Sequence, residues 1–369
     1  MLKPIHRVAC SPALAACKAM MQRFALWLCD PAITSVGLTQ AGLQPPVLAS
    51  AIEANWLWAF LHKIDSGHSL LSRAQTLADM PDSEKGALSA WVNSISTLSV
   101  QFQPAPLPWP TNRPAISDAA WKAFKALMEA FYEKAFKSTG GLPFLANGAP
   151  TSAGGVTYAT YVRVFRDAHR LSNHPHAREV CVMCGGPLGD TPHVDHWIIK
   201  SSFPLLSVCA DNLQLICSTC NEAPNKGDKP TYSDIGFADW FHPYLRPGYG
   251  SVQPAYVLQE MAVRCQSPHA VDQPRSESLN RLFNLASRWT KEFKAEYANR
   301  QNVLCRRERH RIQQAQERHT QADIQAYVQQ WQMDLGDCEP HHEVHSALAA
   351  ALQEPTRLAA WHSELALVN

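Results

Sequence analysis

Four cysteines in two Cys-x-x-Cys pairs have the spacing in this sequence that points most directly to chemistry. The pairs are Cys181 with Cys184 and Cys217 with Cys220, and 32 residues separate them. Each such turn directs two sulfurs at one ion, and two turns complete the tetrahedral shell of a structural zinc site. A single iron can use the same four ligands, and disulfides or coincidence are the metal-free alternatives. We expect zinc, because paired knuckles in a chain with an odd number of cysteines favour a metal in a reducing compartment.

A second set of polar side chains lies between and just after the two cysteine pairs. A strand-like segment carries Asp195 and His196, and a second one carries Asn212 before it reaches the second pair. Asn221 directly follows the last of the four cysteines. Neighbouring strand residues point to opposite faces, so Asp195 and His196 can serve different tasks. The pattern predicts a strand, a loop, a second strand and a short helix, held at both ends by the metal.

These motifs resemble the HNH, or ββα-metal, endonuclease family. The residues that carry the resemblance are Asp195-His196, Asn212-Leu213, Cys217-x-x-Cys220-Asn221 and Lys226-Gly227-Asp228. Residues 203–208 and the later His242-Pro243-Tyr244 are similar to the HNH nucleases of bacterial anti-phage systems, including the Septu nuclease subunit. The resemblance covers about 65 of the 369 residues and neither helical flank.

The resemblance implies an enzyme that hydrolyses phosphodiester bonds with a metal ion. Asp195 and the side-chain carbonyl of Asn221 would hold Mg²⁺ or Mn²⁺, hard cations that prefer oxygen ligands. His196 would be the general base, since a neutral imidazole can take a proton from a water aimed at phosphorus. Asn212 would hold the loop that orients the His196 ring. Two lysines are candidate phosphate contacts, Lys200 and Lys226.

Two departures from the family pattern leave alternatives open. Lys226 lies five residues beyond Asn221, where the family's lysine is commonly three beyond, and Pro224 removes a backbone donor from the expected helix. Either that helix is short or Asn225 replaces Asn221 as the ligand, and we expect Asn221 because the adjacent cysteine fixes it. Without catalysis, the Asp-His pair would be an ordinary polar pair, Asn221 a helix cap and Asn212 an Asx turn.

Helical patterns flank this module on both sides. The clearest spans residues 118–137, where large apolar residues recur at three- and four-residue steps. Further helical patterns cover residues 47–64, 84–100, 158–171 and 276–335, with two short helices in 341–369. We therefore predict a mainly α protein, α+β overall, with a small zinc-stapled ββα-metal module. The predicted division is an N-terminal helical region (1–101), a proline-rich linker (102–117), a helix with a glycine-rich linker (118–155), the HNH nuclease domain (156–250) and a C-terminal helical region (251–369).

Composition is that of a packed protein, with 46% apolar and 18% charged residues. No apolar run approaches the roughly 18 residues that a membrane-spanning helix requires. Leu14-Ala15-Ala16-Cys17 faintly resembles a lipoprotein cleavage site, but the pattern around it continues as a helix, so we expect a cytoplasmic protein without a membrane partner.

The net charge of +1 means that nucleic-acid binding would depend on local basic surfaces. Residues 181–250 hold seven acidic and four basic residues, so the positive surfaces must lie outside them. The candidates are Arg163, Arg166 and Arg170 on one helix, and Arg306 and Arg307 in a later basic cluster. Their alternative is a solvated helix face with acidic partners.

We expect DNA rather than RNA as the substrate, and an ATPase or another defence-system subunit as a possible partner. The competing hypothesis is a non-catalytic, zinc-stapled subunit that binds nucleic acid or protein within a larger defence complex. No base-reading motif is visible in the sequence, so neither hypothesis predicts sequence specificity.

Overall fold

The structure, a computed structural model, describes residues 2–103, 106, 108–174, 177–257 and 260–368. The helices are α1 (Ser11–Leu28), α2 (Ala51–Leu61), α3 (Leu70–Ala78), α4 (Asp82–Ser96), α5 (Asp118–Ala130), α6 (Tyr158–Ala168), α7 (Ser218–Asn221), α8 (Gln273–Phe283), α9 (Leu285–Gln313), α10 (Gln321–Asp334), α11 (His342–Leu352) and α12 (Pro355–Ala366). The strands form three antiparallel pairs: β1 (Ile64–Asp65) with β2 (His68–Ser69), β3 (His193–His196) with β4 (Leu213–Ile216), and β5 (Gln253–Val257) with β6 (Ala262–Gln266).

The prediction of a mainly α, α+β protein is confirmed at the level of these helices and strands. None of the described helices is both long and apolar enough to cross a membrane.

The helix predicted at residues 118–137 is confirmed as α5 and its continuation. The Ser117 side chain accepts a hydrogen bond from the backbone of Ala120, which satisfies one free donor at the N-terminus. Beyond α5 the chain continues as a π-helical segment, Phe131–Phe136. π-helical turns are often found at functional sites, and this one brings Tyr132 to the β3–β4 hairpin, where its hydroxyl lies 3.4 Å from the Val194 carbonyl oxygen.

The β3–β4 hairpin lies between the two cysteine pairs, as the sequence predicted. In its register Asp195 is opposite Gln214, and His196 is opposite Leu213. Helix α7 has only four residues and ends at Asn221, before Pro224. A helix normally ends before the residue that precedes a proline, so the first of the two alternatives for this helix, a short one, is what the structure has.

The C-terminal region contains a β-hairpin that the helical patterns did not predict. Strands β5 and β6 pair over five residues each, and β6 packs against α8 and α9. The helical pattern of residues 276–335 is interrupted twice, once at Asn284, which has a left-handed φ of 53°, and again between α9 and α10. The α12 helix begins at Pro355, where a proline suits the first turn.

One contiguous cluster of buried apolar side chains extends from Leu2 to Leu365. The proline-rich segment contributes to this cluster through Trp109, whose ring lies 4.9 Å from Phe203 and 5.0 Å from Phe237. These two contacts join the segment to the part of the chain predicted as the nuclease domain. The domain boundaries drawn from the sequence remain a prediction.

Candidate active site and metal centre

The four cysteines form a buried, compact group. The Sγ atoms of Cys181 and Cys220 are 4.0 Å apart, those of Cys184 and Cys217 are 3.9 Å apart, and all four lie within 4.8 Å of one another. A tetrahedral ion with bonds of about 2.3 Å places its sulfur ligands about 3.8 Å apart, whereas a disulfide would need about 2.05 Å. The group can therefore hold a metal ion such as zinc, and among the described residues it is the one cluster of His, Cys, Asp or Glu side chains with that geometry.

The C-terminal helices complete the surroundings of this centre. Arg288 of α9 donates from Nη1 to the Cys220 sulfur at 3.3 Å, and the Cys217 amide lies 3.4 Å from the Cys181 sulfur. The indole of Trp289 donates to a backbone carbonyl of the first knuckle. Positive charge and amide donors beside thiolates offset the negative charge of a four-cysteine site, so α9 supports the centre from outside the hairpin.

A cavity of about 310 Å³ brings together three of the four predicted catalytic residues, all except Asn212. Its lining includes Asp195, His196, Lys200, Asn221 and Lys226. The helical flank supplies Tyr132 and Lys137, which sequence reasoning did not assign to the site. Tyr132 and Lys137 reach the cavity because the π-helical segment packs against a distant part of the chain. Local sequence patterns do not reveal such packing.

Asp195 is buried, and both of its carboxylate oxygens accept hydrogen bonds. Lys226 donates from Nζ to one oxygen at 2.7 Å, and Gln214 donates to the other at 2.5 Å. Lys226 also donates to the backbone carbonyl of His196 at 2.6 Å and is only 2% exposed. Its ammonium is thus directed at Asp195 and not at solvent. Gln214 was missed from the sequence, because its role depends on the strand register.

The His196 ring is fixed in one tautomer by the loop that follows β3. Its Nε2 lies 2.9 Å from the Ser207 carbonyl oxygen, which can only accept, so Nε2 carries the proton of the neutral ring. Its Nδ1 keeps a lone pair and has no hydrogen-bond partner within the described residues. Desolvation, followed by the charge of Lys200, lowers the pKa of His196 to about 3. The imidazole is therefore neutral at pH 7.

Asn212 is fully buried inside the loop between the strands. Its amide nitrogen donates to the Ile198 carbonyl at 2.9 Å and the Leu206 carbonyl at 3.1 Å, while its oxygen accepts from the Ile198 amide at 2.6 Å. Asn212 does not line the cavity. Its influence on His196 passes through the loop that carries Ser207.

Of the two asparagines considered as metal ligands, Asn221 lines the cavity and Asn225 does not. The Asn221 amide nitrogen is 3.0 Å from His193 Nδ1, which leaves its carbonyl oxygen available. The Asn225 side chain is buried and donates to the Thr219 carbonyl at 2.6 Å. This placement favours Asn221.

The oxygens of Asp195 and Asn221 suit a Mg²⁺ or Mn²⁺ ion by type. Mg²⁺ commonly binds through one or two carboxylates and keeps several waters, so two protein ligands in an open cavity fit it. One feature works against binding, because the Lys226 ammonium already contacts Asp195. A divalent ion at Asp195 would meet this positive charge.

Lys200 lies at the rim of the cavity and is paired with Glu133. Lys137 forms a second ion pair with the same carboxylate at 2.9 Å. Both ammonium groups lie over the face of Tyr132, at 4.7 and 4.9 Å from its centroid. Two cations therefore flank the entrance, and one acidic side chain is shared between them.

The two predicted arginine sets lie in different parts of the molecule. The three arginines were predicted on one helix, but only Arg163 and Arg166 lie on α6, because the helix ends at Ala168, two residues before Arg170. Helix α6 packs against β4. Arg306 and Arg307 are on α9, at least 18 residues beyond the contact with the cysteine centre, which corresponds to about 27 Å along a helix. The α6 set is the one that adjoins the hairpin.

No family model, curated protein or solved structure matches this chain. The resemblance to HNH nucleases therefore depends on the motif residues and on their arrangement in the cavity.

Proposed function

We propose that the protein is a metal-dependent HNH endonuclease that hydrolyses phosphodiester bonds of DNA, and that β3, β4 and α7 are its ββα-metal module. The observation that carries this proposal is the convergence of Asp195, His196 and Asn221 on one cavity. Asp195 and His196 come from strand β3, and Asn221 comes from helix α7. The four-cysteine group lies where the β3–β4 hairpin leads into α7. An accidental Asp-His pair would have no reason to face the predicted third residue.

In the proposed reaction, a water oxygen forms a bond to phosphorus while the bond to the leaving sugar oxygen breaks, and that oxygen takes a proton from a solvent water. His196 Nδ1 takes the proton of the water, and the Nε2 hydrogen bond to Ser207 stabilises the resulting imidazolium. A divalent ion held by Asp195 and Asn221 would supply neutralisation of the charge that develops on the phosphate. Desolvation is the main cause of the low pKa of His196 and the Lys200 charge is the second, so an anionic phosphate near Lys200 would offset only the second contribution.

The four-cysteine centre has a structural role in this proposal. Zinc would fix the start of α7 against the first knuckle, and α7 carries Asn221. The spacing between Asn221 and Asp195 would then depend on the metal, although neither residue touches it.

The wider role we propose is that of an effector in bacterial anti-phage defence. It would act in the cytoplasm, with an ATPase or another subunit of the system as partner. The support for this role is the resemblance of residues 203–208 and of His242-Pro243-Tyr244 to nucleases of such systems.

Plasmid cleavage tests the proposed activity. The wild-type protein should nick or linearise supercoiled plasmid with Mg²⁺ or Mn²⁺, and His196→Ala should lower the rate by about 100-fold or more, as expected for loss of a general base. His68→Ala is the matched control, because His68 is an exposed histidine of β2 that does not line the cavity. Zinc content and melting temperature should be the same in all three proteins. Equal cleavage by the wild type and His196→Ala would overturn the enzyme assignment.

One observation favours a non-catalytic role, namely that both Asp195 oxygens are already hydrogen-bonded within the protein. In that role the module would be a zinc-stapled surface that binds nucleic acid or protein in a larger complex. It predicts no metal-dependent cleavage and the same DNA affinity for the wild type and His196→Ala.

A further inference from the structure

Two adjoining cavities follow α6 on the side of the molecule next to the hairpin. The first has a volume of about 560 Å³ and includes Tyr158 and Arg163 in its lining. The second has a volume of about 400 Å³ and includes Arg178. The linings of the two cavities share Arg166, Arg170 and Glu179, and we call the two adjacent cavities together the arginine trough.

The trough begins at the candidate active site. The Tyr158 hydroxyl lies 3.4 Å from the Val194 amide, and Val194 lines the active-site cavity. The Tyr158 ring also packs edge-on against Tyr132 of the same cavity, at 6.4 Å between centroids. A helix rises 1.5 Å per residue, so Arg163 lies about 7.5 Å and Arg166 about 12 Å beyond Tyr158 along α6, and Arg170 follows two residues after the end of that helix.

The trough carries positive charge that the protein does not fully match. Arg163 and Arg178 are exposed and have no hydrogen-bond or ion-pair partner in the part of the chain that the structure describes. Arg166 is held by Glu179 at 2.6 Å, and Arg170 approaches Asp167 only at 3.7 Å. The lining also includes Asp190. Four guanidinium groups thus face three carboxylates, and two of the four are free to bind an anion.

The spacing of the arginines suits a repeating anion. The step from Arg163 to Arg166 corresponds to about 4.5 Å of helix rise, and Arg170 follows just beyond the end of α6. A DNA strand presents one phosphate for about every 3.4 Å of axial rise, so successive arginines can reach phosphates one or two nucleotides apart. Guanidinium groups bind phosphate oxygens through two parallel hydrogen bonds.

A larger cavity of about 620 Å³ also adjoins Arg178, but it does not extend the positive surface. Its other guanidinium groups belong to Arg300 and Arg307, and the three arginines are balanced by Glu296, Asp334 and Glu339. The positive trough therefore ends at Arg178.

We propose that the arginine trough binds the backbone of the DNA strand that flanks the scissile phosphate. This proposal deepens the proposed nuclease function and depends on it. The trough contacts phosphates and not bases, so the binding is independent of sequence. In this proposal the main DNA-binding surface lies along α6, and the Arg306 cluster on α9 is not the main contact with DNA.

The test is DNA binding by the full-length chain carrying His196→Ala, so that no cleavage interferes. Fluorescence anisotropy with a 30-base-pair duplex, without added divalent ions, gives the affinity at several salt concentrations. Arg163→Gln with Arg178→Gln removes the two unpaired trough charges and breaks no ion pair. Arg306→Gln with Arg309→Gln is the matched control, since both are exposed on α9 and have no ion-pair partner among the described residues.

The trough variant should bind at least about 10-fold more weakly, and its slope of log affinity against log salt should be shallower by about 2, the value for two lost phosphate contacts. The α9 variant should keep the affinity and the slope of its parent. If the parent binds duplex but the trough variant is unchanged, the trough assignment is overturned while the nuclease proposal stands. If the parent fails to bind duplex at low salt, both are overturned.

Discussion

Lys226 and Asp195 form a buried ion pair inside the proposed catalytic cavity, with side chains only 2% and 4% exposed. A buried charge needs a partner, because an isolated one is strongly unfavourable in a medium of low polarity. Here the partner of the proposed metal ligand is a lysine of the same module. The ammonium and a divalent ion would therefore compete for one carboxylate.

Replacing Lys226 by methionine should strengthen metal binding at Asp195. The variant leaves the carboxylate without its cation, and repulsion between two positive ions at this distance is on the order of several kcal/mol. We expect the Kd for Mn²⁺, measured by electron paramagnetic resonance without DNA, to fall by about 10-fold or more. Lys137→Met makes the same charge change at the more exposed rim and should have a smaller effect. Weaker Mn²⁺ binding by Lys226→Met would mean that Lys226 holds Asp195 in place for the ion.

The motif residues of the site could be predicted from the sequence, but the residues that contact them in the folded protein could not. Asp195, His196 and Asn221 were expected to share a site, and they line one cavity. Gln214, Ser207 and Tyr132 were not expected. Each contacts the site through strand register, a loop carbonyl or a distant helix, which are properties of the folded chain and not of local sequence.

At the scale of elements, the hairpin and α7 adjoin the four-cysteine group. Strand β4 leads directly into Cys217, and α7 contains Cys220. These elements are too short to be stable alone, since isolated two-stranded hairpins and single helical turns are marginal in water. The metal centre is therefore expected to supply much of the stability of this module.

Cys217→Ser should abolish metal binding at this centre and lower the melting temperature of the protein. The serine oxygen is a poor zinc ligand in a thiolate site, and structural zinc is worth about 10–16 kcal/mol in small modules. Elemental analysis should find about one zinc per wild-type chain and none in the variant. Cys305→Ser is the control, because Cys305 lies outside the cluster, and it should keep both zinc and stability. An unchanged zinc content in Cys217→Ser would mean that the four cysteines do not bind the zinc.

Helices with a wide apolar face were predicted well, and elements fixed by their surroundings were not. The stretch containing Phe124, Leu127 and Phe131 was recognised from its periodicity, and it is buried along one side. The β5–β6 hairpin was missed because only β6 alternates between buried and exposed residues. The break at Asn284 depends on a left-handed residue that helical periodicity does not reveal.

At the scale of the whole molecule, the flanking helices belong to the same core as the hairpin. From the C-terminal region, Arg288 contacts Cys220, and Trp289 donates to the first knuckle. From the N-terminal region, Trp91 stacks on Phe203 at 5.7 Å. The sequence patterns described these regions as flanks, since long-range contacts between helices cannot be read from periodicity.

A chain that ends at residue 250 keeps the four cysteines but should therefore hold the metal of the cysteine centre less tightly than the full chain. Removing α9 exposes the buried first knuckle and takes away the guanidinium beside the sulfurs. We expect lower zinc retention against a chelator and a lower melting temperature than for the full chain. Arg288→Met in the full chain should show a smaller loss in the same assays. Full zinc retention by the shortened chain would mean that the module is independent of α9.

The claim that His196 acts as the base of a phosphodiester hydrolase is tested most directly by chemical rescue. His196→Gly removes the imidazole and leaves space for one, so plasmid cleavage with Mn²⁺ should be nearly absent and should rise with added imidazole in proportion to its neutral form. Asp195→Ala should gain nothing from imidazole. Cleavage by His196→Gly at the wild-type rate without imidazole would contradict the account.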